Sequence, residues 1–127
     1  MFDSIRAIFL DWGNTLVAID RQVRGWVDGA ARATRALFAA GTPAPDTAIQ
    51  DLLDCFDHIR RETYAGRHLR EMRFEKVLKV WFKKLGLGRP SPGMATHLTD
   101  AFWEPWIESL DLFDGALEAV ATLRHRG

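Results

Sequence analysis

Apolar and polar positions follow two rhythms along this chain. From Ile5 to Leu10 the apolar residues cluster, closing on Ala7-Ile8-Phe9-Leu10. An apolar run of that length without alternation predicts a short strand covered on both faces. The polar cluster Asp11-Trp12-Gly13-Asn14-Thr15 follows where such a strand would end. Beyond it the apolar spacing changes to threes and fours, the period of a helix with one buried face. Val23, Trp26, Val27, Ala30, Ala33, Leu37 and Phe38 form one stripe, with Asp28 and Arg32 spaced i,i+4 on the other side. Gly41 and Thr42-Pro43 stop this helix, because glycine accepts the left-handed cap and proline cannot continue it.

A second helix is expected from Thr47, where Thr47 and Gln50 have capping-box spacing, with Ile49, Leu52, Leu53, Phe56 and Ile59 as its stripe. A third is expected from about Leu69 to Leu85 through Phe74, Val77, Leu78 and Trp81, ended by Gly86. Ser91-Pro92 offers an N-cap with proline at the first helical position. The segment it opens carries Leu98, Ala101, Phe102 and Trp106, and Pro105 should kink or break it. A last helix, capped by Asp114, uses Leu117, Val120 and Leu123, with Gly127 at its C-cap position. Trp26, Trp81 and Trp106 fall on stripes as core residues, whereas Trp103 is off its stripe and either packs or lines a cleft.

One strand among many helices is a physical problem. A buried strand needs partners for its N–H and C=O groups on both edges. Either Ile5–Leu10 is not a strand, or its partners lie in another chain, or the sequence is incomplete; the third is the expectation.

Composition narrows the class. Of 127 residues, 47% are hydrophobic, with five Trp and eight Phe, enough for a core and against disorder. Lys plus Arg equals Asp plus Glu at 17 each, so no global field attracts nucleic acid or an anionic membrane. The single Cys excludes an intrachain disulfide and suits a reducing compartment. Asp3 stands where a signal peptide needs a basic start, and the first apolar run is too short for a membrane span. The expectation is a soluble cytoplasmic protein with no nucleic-acid or membrane partner; the oligomeric state is not legible.

Candidate chemistry is sparse. His58, His68, His97 and His125 are scattered without ligand spacing, which proposes no zinc site. Cys55 sits within an apolar stripe with no basic neighbour to form a thiolate, and reads as a small core residue. The basic stretch from Arg60 to Lys84, with Arg73, Lys76 and Lys83 near one face, either steers an anionic substrate or is a solvated helix face, the commoner case.

Asp11 stands apart. A carboxylate at the C-terminal end of a buried parallel strand occupies the ligand crevice of open α/β sheets. Gly13 lets the backbone approach a ligand closely, and Thr15 offers a hydroxyl and an N–H to an oxyanion. An aspartate can also take up a phosphoryl group as an acyl phosphate and release it to water. The plain alternative is an Asx-turn closing a strand, which on spacing alone short motifs favour.

The segment Ile8-Phe9-Leu10-Asp11-Trp12-Gly13-Asn14-Thr15-Leu16-Val17 resembles the first motif of the haloacid dehalogenase-like (HAD) superfamily, an apolar strand followed by Asp-x-Asp-x-Thr-Leu. The layout is similar too. Members with a helical cap insert helices soon after this motif and return through a turn of the type Leu-Phe-Asp-Gly-Ala, here Leu112 to Ala116, and a helix ending in glycine. The resemblance implies an α/β, Rossmannoid core begun by residues 1–17, an all-α cap over 18–110 and a return to the core over 111–127. Only one of the family's four catalytic motifs is present. The strand that would carry the second, a Ser or Thr, would follow Gly127, so the missing partners of the lone strand and the missing motifs point the same way.

Position by position, the resemblance makes Asp11 the nucleophile and a Mg²⁺ ligand. Gly13 stands where the family has a second Asp, and would keep the backbone carbonyl as a metal ligand while losing the general acid. That loss is worth ~10²–10⁴-fold in rate and falls hardest on substrates with poor leaving groups. Thr15 would support the phosphate-facing loop, and the Trp12 backbone N–H would contact the phosphoryl group. The expected activity is a Mg²⁺-dependent phosphatase of a small phosphorylated metabolite in a full-length protein, with the 127-residue chain alone inactive. Alternatives are a dehalogenase-type reaction with Asp11 attacking carbon, or an inactive binding module. If the chain is complete, a small helical interaction protein that oligomerises through its strand edge also stands.

Overall fold

The computed structural model describes residues 10–11, 17–18, 22–38, 42–66 and 71–126. It divides into two compact units, one spanning Gln22–Glu108 and one drawn from Met1–Arg21 and Ser109–Gly127.

The first unit holds four helices: α1 (Gln22–Leu37), α2 (Ala48–Ala65), α3 (Phe74–Lys84) and α4 (Pro92–Glu108). The apolar periodicity explains their packing, since Leu52, Val77, Leu78, Trp81, Leu98 and Phe102 are fully buried at the centre. Phe56 organises an aromatic cluster, with ring centroids 5.1 Å from Trp26, 5.2 Å from Phe102 and 5.9 Å from Trp103. These tilted and edge-on contacts are the arrangements that ring quadrupoles favour. Trp81 can be wholly buried because its indole N–H donates to the Ala48 carbonyl at 3.0 Å, which satisfies its one polar atom.

Helices α1 and α4 make the most extensive pairing. Two glycines one turn apart allow it. A Cβ on Gly25 would lie a tight 3.0–3.1 Å from Trp106, and one on Gly29 would overlap the Phe102 carbonyl, so at Gly29 only hydrogen fits. The low-numbered end of α1 thus meets the high-numbered end of α4, and the two run antiparallel. Across this seam Arg32 reaches Glu104 at 2.6 Å and Glu108 at 3.1 Å. Both carboxylates lie toward the C-terminal end of α4, which has no basic residue in its last turn, so Arg32 supplies the charge that the helix dipole lacks there.

The second unit contains β1 (Val17–Ala18), β2 (Asp111–Leu112) and α5 (Ala116–Arg126). The strands pair antiparallel, Val17 opposite Leu112 and Ala18 opposite Asp111.

Several expectations are corrected. Thr47 does not form the capping box with Gln50: its backbone is helical, and its hydroxyl donates to Asp51 at 2.8 Å while Gln50 bonds Asp54. Asp51, one residue further on than the box requires, accepts the Thr47 hydroxyl instead. Helix α3 begins at Phe74 and not near Leu69, because 71–73 are non-helical and Arg73 is extended. Pro105 neither ends nor breaks α4, which continues to Glu108. Its ring is buried, and the Phe102 and Trp106 contacts with α1 flank it, so packing offsets the ~3 kcal/mol that an interior proline costs. Trp103, which the sequence leaves open between packing and lining a cleft, does both: it is half-buried in the aromatic cluster and lines a groove on α4. Asp114 does not stand next to α5; it lies in a turn closed by Ala116 N–H to Phe113 O at 3.0 Å, and Gly115, with φ +80°, precedes the helix. A positive φ at that third turn position suits glycine. Val27 and Ile49, counted on stripes, are partly exposed. The chain also contains β1 and β2, which its pattern did not announce. Ile5–Phe9, Gly41 and Gly127 lie outside the described residues, and Leu10 is not in a strand.

Candidate functional site

Asp11 follows Leu10 in non-regular backbone, and both side chains are exposed. Among the described residues Asp11 makes no ion pair or hydrogen bond that would hold its carboxylate. Exposure leaves the carboxylate open to solvent on the described side. Its companions Trp12, Gly13, Asn14 and Thr15 lie outside the described residues.

What the structure does bring together is the chain on either side of the helical insertion. The β1·β2 ladder sets Val17, six residues after Asp11, against Leu112, the first residue of the Leu112–Ala116 turn. Two segments almost a hundred positions apart in sequence are thereby joined within one unit. No local pattern signals this pairing, because two residues are too few to show alternation.

Magnesium prefers six oxygens in near-octahedral array. Among the described residues no group of three or more His, Cys, Asp or Glu is arranged to hold a metal. Asp11 is one carboxylate without described partners, so the described residues do not make a magnesium site.

Other candidate groups resolve plainly. Cys55 is buried, and burial pushes its thiol up, away from the reactive thiolate. The sequence suggested no basic neighbour, yet the fold brings Lys84 close enough to act on it, an effect smaller than that of burial. Lys84 instead pairs with Asp51 at 2.6 Å; this contact and the Thr47 hydroxyl hold the Asp51 carboxyl below the usual carboxylate range. Arg73 and Lys76 line a cavity of about 810 Å³ where α2 ends and α3 begins, but Glu62 and Glu71 line it too. Among the described residues its lining is balanced in charge, and Lys83 is exposed. His58 lies 3.4 Å from Glu62, His97 and His125 are exposed, and His68 is outside the described residues. No described helix is long and apolar enough to cross a membrane.

Comparison with known proteins adds one relation. In an alignment 103 positions long that covers 69% of this chain, the sequence is 30% identical to ribulose-1,5-bisphosphate 5-phosphatase of Halopiger xanaduensis (strain DSM 18323 / JCM 14033 / SH-6). The chain is similar to a phosphatase. It spans 41% of that protein's length. No family model and no solved structure matches the chain.

Proposed function

We propose that this chain carries the nucleophile and the substrate-selecting helices of a HAD-like phosphatase acting on a small phosphorylated metabolite. Asp11 carries the proposal. It is an exposed carboxylate with no partner among the described residues, it closes an apolar run and opens Asp-x-Gly-x-Thr, and it lies in a chain similar over 69% of its length to a sugar-bisphosphate phosphatase. In this reading Asp11 attacks phosphorus, the P–O bond to the substrate breaks and the leaving oxygen takes its proton from water, and a second water cleaves the aspartyl phosphate to inorganic phosphate and free Asp11. Trp12 N–H and Thr15 form the phosphate-facing loop. The helical unit serves as a cap that excludes water and selects the metabolite. A Mg²⁺ would be held by the Asp11 carboxylate and the Gly13 carbonyl, and would offset the charge on the phosphoryl oxygens. Gly13 supplies no proton to the leaving group, so substrates whose alcohols leave easily should turn over fastest.

The test uses a protein in which the Asp11 motif stands together with the Ser/Thr, Lys and acidic motifs. Phosphate release from a panel of sugar phosphates and bisphosphates is measured with and without EDTA, and borohydride reduction traps the acyl phosphate. Asp11→Asn should lower kcat by at least about 10³-fold and abolish trapping. The 127-residue chain alone should not hydrolyse p-nitrophenyl phosphate. Full activity of Asp11→Asn would overturn the proposal, and EDTA-resistant release of halide from haloacids would replace it with the dehalogenase reading.

A further inference from the structure

Two helices of the first unit present opposite charge in rows of similar length. On α3, Lys76, Lys79 and Lys83 share one face, all exposed, with Val80 39% exposed between them. None of the three has an ion-pair partner among the described residues. On α4, Asp100, Glu104 and Glu108 recur every four residues along a groove of about 560 Å³, whose apolar members include Trp103 and Ile107, the latter 59% exposed. Asp100 is unpaired among the described residues, and only Arg32 answers Glu104 and Glu108. At 1.5 Å per residue the lysine row spans about 10.5 Å and the acidic row about 12 Å. Each row repels itself, and an exposed apolar residue lies beside each. Among the described residues the two rows do not meet, since no ion pair joins them.

We propose that the helical unit binds a second copy of itself, the lysine face of α3 on one copy seating in the acidic groove of α4 on the other. The charge complementarity selects a second copy. Every group needed for both sides is already on this chain, and its 17 basic and 17 acidic residues leave two copies with no net repulsion. Val80 would enter the groove beside Ile107, adding apolar burial to the ionic contact.

The measurement is sedimentation equilibrium of the 127-residue chain across concentration, at about 50 and about 500 mM NaCl, since added salt shortens the reach of exposed charges. Self-association should weaken about tenfold or more at the higher salt. Lys79→Glu and Asp100→Lys, exposed substitutions checked for folding by circular dichroism, should each be monomeric, and an equimolar mixture of the two should associate again. A chain that stays monomeric at every concentration overturns the proposal. So does an assembly unmoved by salt and by both variants, which would point to other exposed apolar residues. So does a mixture of variants that remains monomeric.

Discussion

The helical unit and α5 have the same kind of sequence and different outcomes. In the first, residues spaced by three and four meet across four helices, and Leu52, Leu78, Trp81, Leu98 and Phe102 lose all contact with solvent. In α5, Leu117, Val120 and Leu123 have the same spacing, yet remain 66%, 38% and 37% exposed, and Leu112 and Phe113 before them are about half exposed. Periodicity therefore tells which face of a helix is apolar and nothing about what covers it. Stability should sit where the coverage is.

Truncation of matched apolar residues breaks the comparison most strongly. Phe102→Ala removes a wholly buried ring that touches Phe56, Phe74 and Trp103, and should cost about 3–5 kcal/mol. Leu117→Ala on α5 should stay within about 0.5 kcal/mol. Urea unfolding of both variants decides it, and equal losses would show that α5 packs as firmly as the helical unit. Next comes the α1–α4 seam. Gly29→Ala drives a methyl into the Phe102 carbonyl, and a clash with backbone should cost ~3 kcal/mol, the upper part of the overpacking range. Gly93→Ala, with nothing within 4 Å, should stabilise α4 by about 0.4–1 kcal/mol. Opposite signs from the same chemical change sharpen the point that close approach, and not helix propensity, requires Gly29.

The smallest effect is electrostatic. Asp51 is held low by Lys84 and Thr47, and Asp57 by Arg60 and Arg61. A carboxylate lower in the folded than in the unfolded chain contributes stability above its unfolded pKa, about 3.9, and loses it as pH falls through the folded value. The urea midpoint of the helical unit should thus hold from pH 7 to about 5 and decline below about 4. Asp51→Asn with Asp57→Asn should flatten the decline; an unchanged slope would remove these pairs from the account.

Much of the helical unit was legible because its signals are local. Ser91 caps α4 as its position before Pro92 suggested, its hydroxyl accepting the Met94 N–H at 3.2 Å. The stripes of α2 and α3 place Leu52, Phe56, Val77, Leu78 and Trp81 in the core. Misreadings arose where a more distant partner outweighed a local rule. Asp51 drew the Thr47 hydroxyl away from the cap, and packing on α1 carried α4 through Pro105. The β1·β2 ladder was illegible because it joins residues far apart through two positions each. At the candidate site the sequence offers Asp11 as a candidate, and of Asp11 to Thr15 it alone falls within the described residues. A nucleophile's partners are fixed by strands brought side by side, and a linear pattern carries no such information.

The glycine seam has one more consequence. Because Gly25 meets Trp106, the first turn of α1 and the last turn of α4 lie side by side, so the helical unit begins and finishes at one place. A segment with neighbouring ends can be spliced into a surface loop of an unrelated host without prying that loop apart, or joined end to end into a ring. In genetic terms, residues 22–108 have the ends of a cassette.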